Sequence, residues 1–173
     1  MRNVLVVVDM QNDFINGSLG TAEAQAILPN VLKLVKDFEG EIIFTKDTHE
    51  TNYLDTKEGK NLPVEHCIKN TQGWEIADCL LPYAKVVIEK PTFGSLVLIE
   101  KLQELDKEEK IETITFVGLC TDICVISNVL LTKSAFLEAE IIVDASSCAG
   151  VTPQSHKNAL EAMKMCQIKI VGE

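Results

Sequence analysis

The chain opens with an unbroken valine- and leucine-rich run over residues 3–9, closed by Asp9. Apolar residues in a row, without alternation, mark a strand covered on both faces of a sheet. Shorter runs follow at residues 41–46, 86–88, 111–117, 141–143 and 168–171. Between them the period changes to that of helices. Pro29 fits a first helical turn, with Val31, Leu34, Val35 and Phe38 on one face and Gly40 closing it. Leu98, Leu102 and Leu105 mark a second helix, and the charged residues 107–110 read as a solvated loop. Gly118 predicts a sharp turn from the fourth strand into an apolar helix, with Thr121 or Asp122 as its N-cap. Residues 153–165 predict a last helix. Residues 50–84 sustain no period, and a long irregular insert in a compact fold is usually a functional loop. Strands alternating with helices predict a parallel, doubly wound sheet with right-handed crossovers. Without repeats or a visible boundary, residues 1–173 read as one domain.

Composition narrows the partners. The 173 residues carry a net charge of -10, which argues against nucleic acid or an anionic membrane. The first apolar run is cut short by Asp9, so it reads as a strand and not as a signal peptide or membrane span. The six cysteines lack framework spacing, which predicts reduced thiols in the cytoplasm.

In an open parallel sheet the reactive site lies beyond the carboxyl ends of the strands, where the strand order switches. Asp9 ends the first run, Asp47-x-His49 the second and Lys90 the third, while Cys124 follows the fourth. A Cys just inside a helix N-terminus feels a field that favours the thiolate, the attacking form. A Lys facing it would add to that effect, and Asp9 could carry the thiol proton. Each residue also has a plainer reading. Asp9 could begin a turn, Lys90 could be a surface charge, and Cys124 could be a buried structural thiol. Asp47, His49 and His66 could supply three metal ligands of a kind suited to zinc, iron or manganese, or could be a capping Asp and two exposed His. His156 lies on a helix remote from these in sequence and reads as structural or exposed.

Five segments together carry a resemblance. They are residues 8–14 (VDMQNDF), 45–49 (TKDTH), 66–73 (HCIKNTQG), 89–93 (EKPTF) and 118–125 (GLCTDICV). In order and spacing the chain resembles the isochorismatase-like cysteine hydrolases, and within them the metal-binding nicotinamidases. The resemblance implies a three-layer α/β/α, Rossmann-like fold around a six-stranded parallel sheet. It implies a catalytic triad of Asp9, Lys90 and Cys124, and a cis peptide before Cys120. An oxyanion hole would come from the backbone N–H groups of Cys120 and Cys124. Asp47, His49 and His66 would hold a divalent metal, zinc first, with iron or manganese as alternatives. The further His that many nicotinamidases carry after Asp-x-His is missing, and Glu58 either fills its place or is an exposed loop residue. Phe14 and Phe93 are candidate pocket walls or simple core, and Trp74 reads as packing. The implied reaction is hydrolysis of nicotinamide to nicotinate and ammonia through a Cys thioester. Another small amide or carbamoyl substrate is the alternative, as is a non-catalytic metal-binding protein on the same fold. A homodimer or homotetramer is the expected assembly.

Overall fold

A computed structural model describes residues 1–173. Six parallel strands form one sheet in the order β3-β2-β1-β4-β5-β6. They are β1 (Arg2–Val8), β2 (Glu41–Asp47), β3 (Val86–Lys90), β4 (Ile111–Leu119), β5 (Glu140–Ala149) and β6 (Lys169–Val171). The helices are α1 (Asn12–Ile15), α2 (Ala22–Asp37), α3 (Lys57–Asn61), α4 (Leu96–Glu108), α5 (Ile126–Ala135) and α6 (Pro153–Met165).

The unbroken apolar run of β1 is explained by burial on both sides. Val4, Val6 and Val8 join the core beneath α4, α5 and α6, whereas Leu5 and Val7 join the core beneath α2. Leu98, Leu102, Val129, Leu160 and Met163 close the first layer. Ala24, Ile27, Val31 and Val35, at helical spacing on α2, close the second. Each large aliphatic side chain buried this way contributes about 1.5–3 kcal/mol. No helix is long and apolar enough to cross a membrane.

Several boundaries differ from the sequence expectation. Helix α2 begins at Thr21, whose side chain accepts from the Ala24 N–H, and Pro29 lies inside it. Pro29 and Gln25 are both exposed, so the Gln25 carbonyl that Pro29 cannot serve faces water. Helix α4 takes in Lys107 and Glu108, half of the expected charged loop. Strand β4 continues through Gly118, and the chain turns one residue later. Gly118 has φ +115°, and a Cβ there would sit 2.1 Å from the Val8 carbonyl oxygen. Only glycine allows β1 and β4 so close at this point. The irregular region at 50–84 contains α3, short 3-10 turns at Tyr53–Asp55 and Leu81–Tyr83, and a bridge between His49 and Ile68.

The chain runs outward from β1 through β2 to β3, then returns to the other side of β1 as β4. The order therefore reverses between β1 and β4, so the crevice at their carboxyl ends is the expected place for a ligand.

Candidate active site

Asp9 follows β1 directly and has φ +47°, which turns its side chain inward. Its Oδ2 lies 2.6 Å from Lys90 Nζ, and its Oδ1 accepts from Thr45 Oγ1 at 2.7 Å. Lys90 Nζ also lies 3.5 Å from Cys124 Sγ and 3.7 Å from Asp47 Oδ1, and donates to the Thr92 carbonyl at 3.1 Å. Asp9 is wholly buried and Lys90 nearly so. Residues 9, 90 and 124 thus meet in one cluster at the switch point.

Cys124 sits in a π-helical turn, Thr121–Val125, that leads into α5. The Leu119–Cys120 peptide is cis. Neither Thr121 nor Asp122 caps the helix. Residue 120 holds the N-cap position without a side-chain bond, Thr121 pairs with His156 Nδ1 at 2.7 Å, and Asp122 accepts from the Val151 N–H. His156 is therefore next to the Cys124 turn, tied to it through Thr121. Burial raises the Cys124 thiol well above its ordinary value, the Asp9 charge adds to this, and Lys90 only partly opposes it. Burial also raises Asp9, with the Lys90 charge pulling the other way. Burial alone would lower Lys90, but the charges of Asp9, Cys124 and Asp47 together outweigh it and raise Lys90 above its ordinary value.

Beside this cluster, Asp47, His49, Glu58 and His66 each offer one donor atom within 4.8 Å of the others. Asp47 Oδ2 lies 3.0 Å from His49 Nε2 and 3.5 Å from His66 Nε2. Glu58 Oε1 lies 3.6 Å from His49 Nε2 and 3.9 Å from His66 Nε2. Glu58 therefore joins the group and is not a free loop residue. His66 Nδ1 lies 2.8 Å from the Val64 carbonyl, which can only accept. In the neutral ring the proton is on Nδ1, and Nε2 offers its lone pair to the cluster. Burial alone would raise Asp47, but the His49 and His66 rings beside it and the Lys90 charge hold it well below the usual carboxylate range. Asp47 Oδ1 is buried with no hydrogen-bond partner. Two imidazoles and two carboxylates gathered this closely fit a divalent transition metal.

Several residues that sequence reasoning missed hold this group in place. Gln11 is fully buried, accepts from the Asp47 N–H at 2.7 Å and donates to the Asp47 carbonyl at 2.8 Å. Asp13 Oδ2 accepts from the Cys67 N–H at 2.8 Å, next to His66. Tyr53 is fully buried, with its ring 4.7 Å from His49 and 5.0 Å from His66. Gln11 and Asp13 lie in the 8–14 motif, which marked the segment but gave neither residue this role. Tyr53 lies in the aperiodic segment, where nothing marks it.

A cavity of about 240 Å³ opens onto both clusters, touching Asp47, Glu58, His66, Cys120 and Cys124. Its remaining lining is mainly apolar, with Phe14, Leu62, Phe93, Ile123 and Val151 among the walls. Both candidate Phe residues are therefore placed at the pocket. Phe14 has its ring 5.5 Å from that of His66, and Phe93 is 42% exposed. Trp74 packs elsewhere, under Lys46 Nζ at 3.0 Å from the ring centre. Such a site can bind one small, flat, largely apolar molecule between a thiol and a metal-ligating group.

Known proteins with these features are similar along the whole chain. The isochorismatase domain matches residues 3–172. A nicotinamidase of Acinetobacter baylyi is 31% identical over 170 residues, covering 82% of this chain and 79% of that protein. The crystal structure of a pyrazinamidase from Pyrococcus horikoshii in complex with zinc superposes with a TM-score of 0.84 at 28% identity, covering all of both chains. A nicotinamidase/pyrazinamidase from Bacillus subtilis gives 0.83 at 25% identity, over 99% of this chain and 100% of that one. A six-stranded parallel sheet, a polar cluster at its switch point and a match from end to end agree, and the chain belongs to the isochorismatase family.

Proposed function

We propose that this protein is a metal-dependent cysteine amidohydrolase that converts nicotinamide to nicotinate and ammonia, within one domain spanning residues 1–173. The observation that carries this reading is the meeting of Asp9, Lys90 and Cys124 beside a small apolar cavity. The 31% identity to a nicotinamidase supports the substrate.

The Cys124 thiol gives its proton to Asp9, and Sγ attacks the carboxamide carbon. Burial raises both groups, and Asp9 lies against the same Lys90 that faces the sulfur. Lys90 keeps Asp9 ionised before that transfer and stabilises the sulfur as its charge develops. The backbone N–H groups of Cys120 and Cys124 receive the negative charge on the carbonyl oxygen. Asp9 returns the proton to the departing nitrogen, so the C–N bond breaks and ammonia leaves a Cys124 thioester. Asp9 then takes a proton from water, whose oxygen attacks the thioester. The C–S bond breaks, nicotinate leaves, and Asp9 reprotonates the sulfur. Phe14 and Phe93 flank the ring. Asp47, His49, His66 and Glu58 would hold a divalent ion, zinc first with iron or manganese as alternatives, which when bound supplies an electrophile for the ring nitrogen. The chain's acidic surface and unpaired cysteines support a cytoplasmic enzyme of NAD salvage, and a homodimer or homotetramer is the proposed assembly.

Ammonia release from nicotinamide tests the reading. The wild type should turn over, and Cys124→Ala and Asp9→Ala should each lose at least about a thousandfold in kcat. A wild type inert with zinc, iron and manganese would reject nicotinamide. Activity surviving in Cys124→Ala would reject the thioester, and faster turnover of another small amide or carbamoyl compound would reassign the substrate.

A further inference from the structure

Asn128 lies on α5 one turn after Cys124, is wholly buried, and does not line the cavity. Its Oδ1 accepts from the Ser95 backbone N–H at 3.0 Å. Its Nδ2 donates to the carbonyls of Cys124 at 2.8 Å and Phe93 at 3.0 Å. The orientation of the amide is forced, because an N–H only donates and a carbonyl only accepts.

The segment so held, residues 91–95, has no helix or strand of its own. It leaves β3 after Lys90, places Phe93 on the cavity wall, and enters α4 at Ser95, whose hydroxyl accepts from the Leu98 N–H. Its near end is held where Lys90 donates to the Thr92 carbonyl. Gly94 rests on α5 so closely that a Cβ would meet Leu131 Cδ1 at 2.7 Å. Phe93 itself, at 42% exposed, is not anchored by burial. The position of this wall therefore depends on backbone hydrogen bonds, and those of the Phe93 carbonyl and the Ser95 N–H both end on one side chain. A buried amide whose partners are all satisfied fixes geometry, and its loss leaves several polar groups unpaired at once.

We propose that Asn128 is a positioning residue that locks the 91–95 segment to the Cys124 turn and so sets the Phe93 wall over the bound ring. The proposal rests on the amidohydrolase reading for its kinetics and deepens it, since it places a control of substrate binding outside the pocket. It acts on binding more than on bond-making, because Asn128 touches neither Sγ nor Asp9.

Four variants test this: Asn128→Ala, Asn128→Asp, Phe93→Ala, and Asn128→Ala with Phe93→Ala. In Asn128→Ala the KM for nicotinamide should rise about tenfold while kcat falls less than about threefold. In the Phe93→Ala background the same change should add less than about twofold to KM, because the wall it positions is gone. Amide hydrogen exchange read at Ser95 should speed up at least about tenfold in Asn128→Ala, with β1 and β4 unchanged. Asn128→Asp keeps the acceptor for Ser95 but, when ionised, cannot donate to the two carbonyls. It should therefore raise KM while Ser95 stays protected, and it carries the test if the Ala variant fails to fold. Unchanged KM, effects that multiply fully in the double variant, a loss confined to kcat, or unaltered exchange at Ser95 in Asn128→Ala would each overturn the role. The exchange measurement needs no substrate, so a wild type inert toward nicotinamide would sink the proposed function without deciding this one.

Discussion

The charges at the centre of the site are buried, and each depends on the others. Lys90 faces Asp9 at 2.6 Å and Asp47 at 3.7 Å, all three nearly inaccessible to water. Removing the cation leaves two carboxylates without a counter-charge in a low-dielectric site, which typically costs about 3–5 kcal/mol. Lys90→Met, which keeps most of the side-chain volume, should lower the unfolding free energy read from a urea titration by that amount and abolish ammonia release. A variant as stable as wild type would show that the cluster does not hold the charges argued for it. The identities of Asp9, Lys90 and Cys124 were legible because each stands at a strand end in a recognisable motif. Their protonation was not. A Cys at a helix start suggested a thiolate, whereas burial and the Asp9 charge push the Cys124 thiol upward against Lys90. Desolvation depends on every neighbour, and no local pattern reports it.

At the scale of elements, the site depends on how closely β1 approaches β4. Val8 pairs with Gly118, and the next residue on β1's side is Asp9, while Cys120 and Cys124 follow β4. A Cβ at residue 118 would meet the Val8 carbonyl carbon and oxygen, both backbone atoms that cannot rotate away. Gly118→Ala should therefore destabilise the protein by about 1–3 kcal/mol through its φ alone, and by more through the clash. It should also lower kcat more than KM, because it separates Asp9 from Cys124. A urea titration and steady-state kinetics check both, and an Ala variant with native stability would refute the close approach. The strands themselves were visible as apolar runs. Helix ends were less so, because Thr21, Pro29 and the Lys107–Glu108 pair are decided by caps and exposure that periodicity does not register.

At the scale of the molecule, two clusters share one crevice, and a bound ion would tie the 50–84 region to the sheet. His49 and Asp47 come from the end of β2, Glu58 from α3 and His66 from the loop beyond. A ligand that binds only the folded state stabilises it by RT ln(1 + [L]/Kd), about 2.7 kcal/mol at a hundredfold excess over Kd. Dialysis against a strong chelator should therefore lower Tm and stop ammonia release, and zinc should restore both. His49→Ala should bind less metal by elemental analysis and show a raised KM. Unchanged metal content in that variant would remove this group as the site.

The sequence alone determined that the chain alternates strand and helix, that the sheet is parallel and buried on both faces, and that polar residues stand at its carboxyl ends. These follow from hydrophobic period and turn chemistry, which are local and therefore written in order along the chain. Only the tertiary structure decided which of those ends are neighbours, that Glu58 reaches the two His, that Tyr53 packs on them, that Asn128 bonds the Phe93 carbonyl, and that Cys124 is enclosed beside Asp9 and Lys90. Each of these is a relation between residues far apart in the chain, created when strand order brings them together and water is excluded.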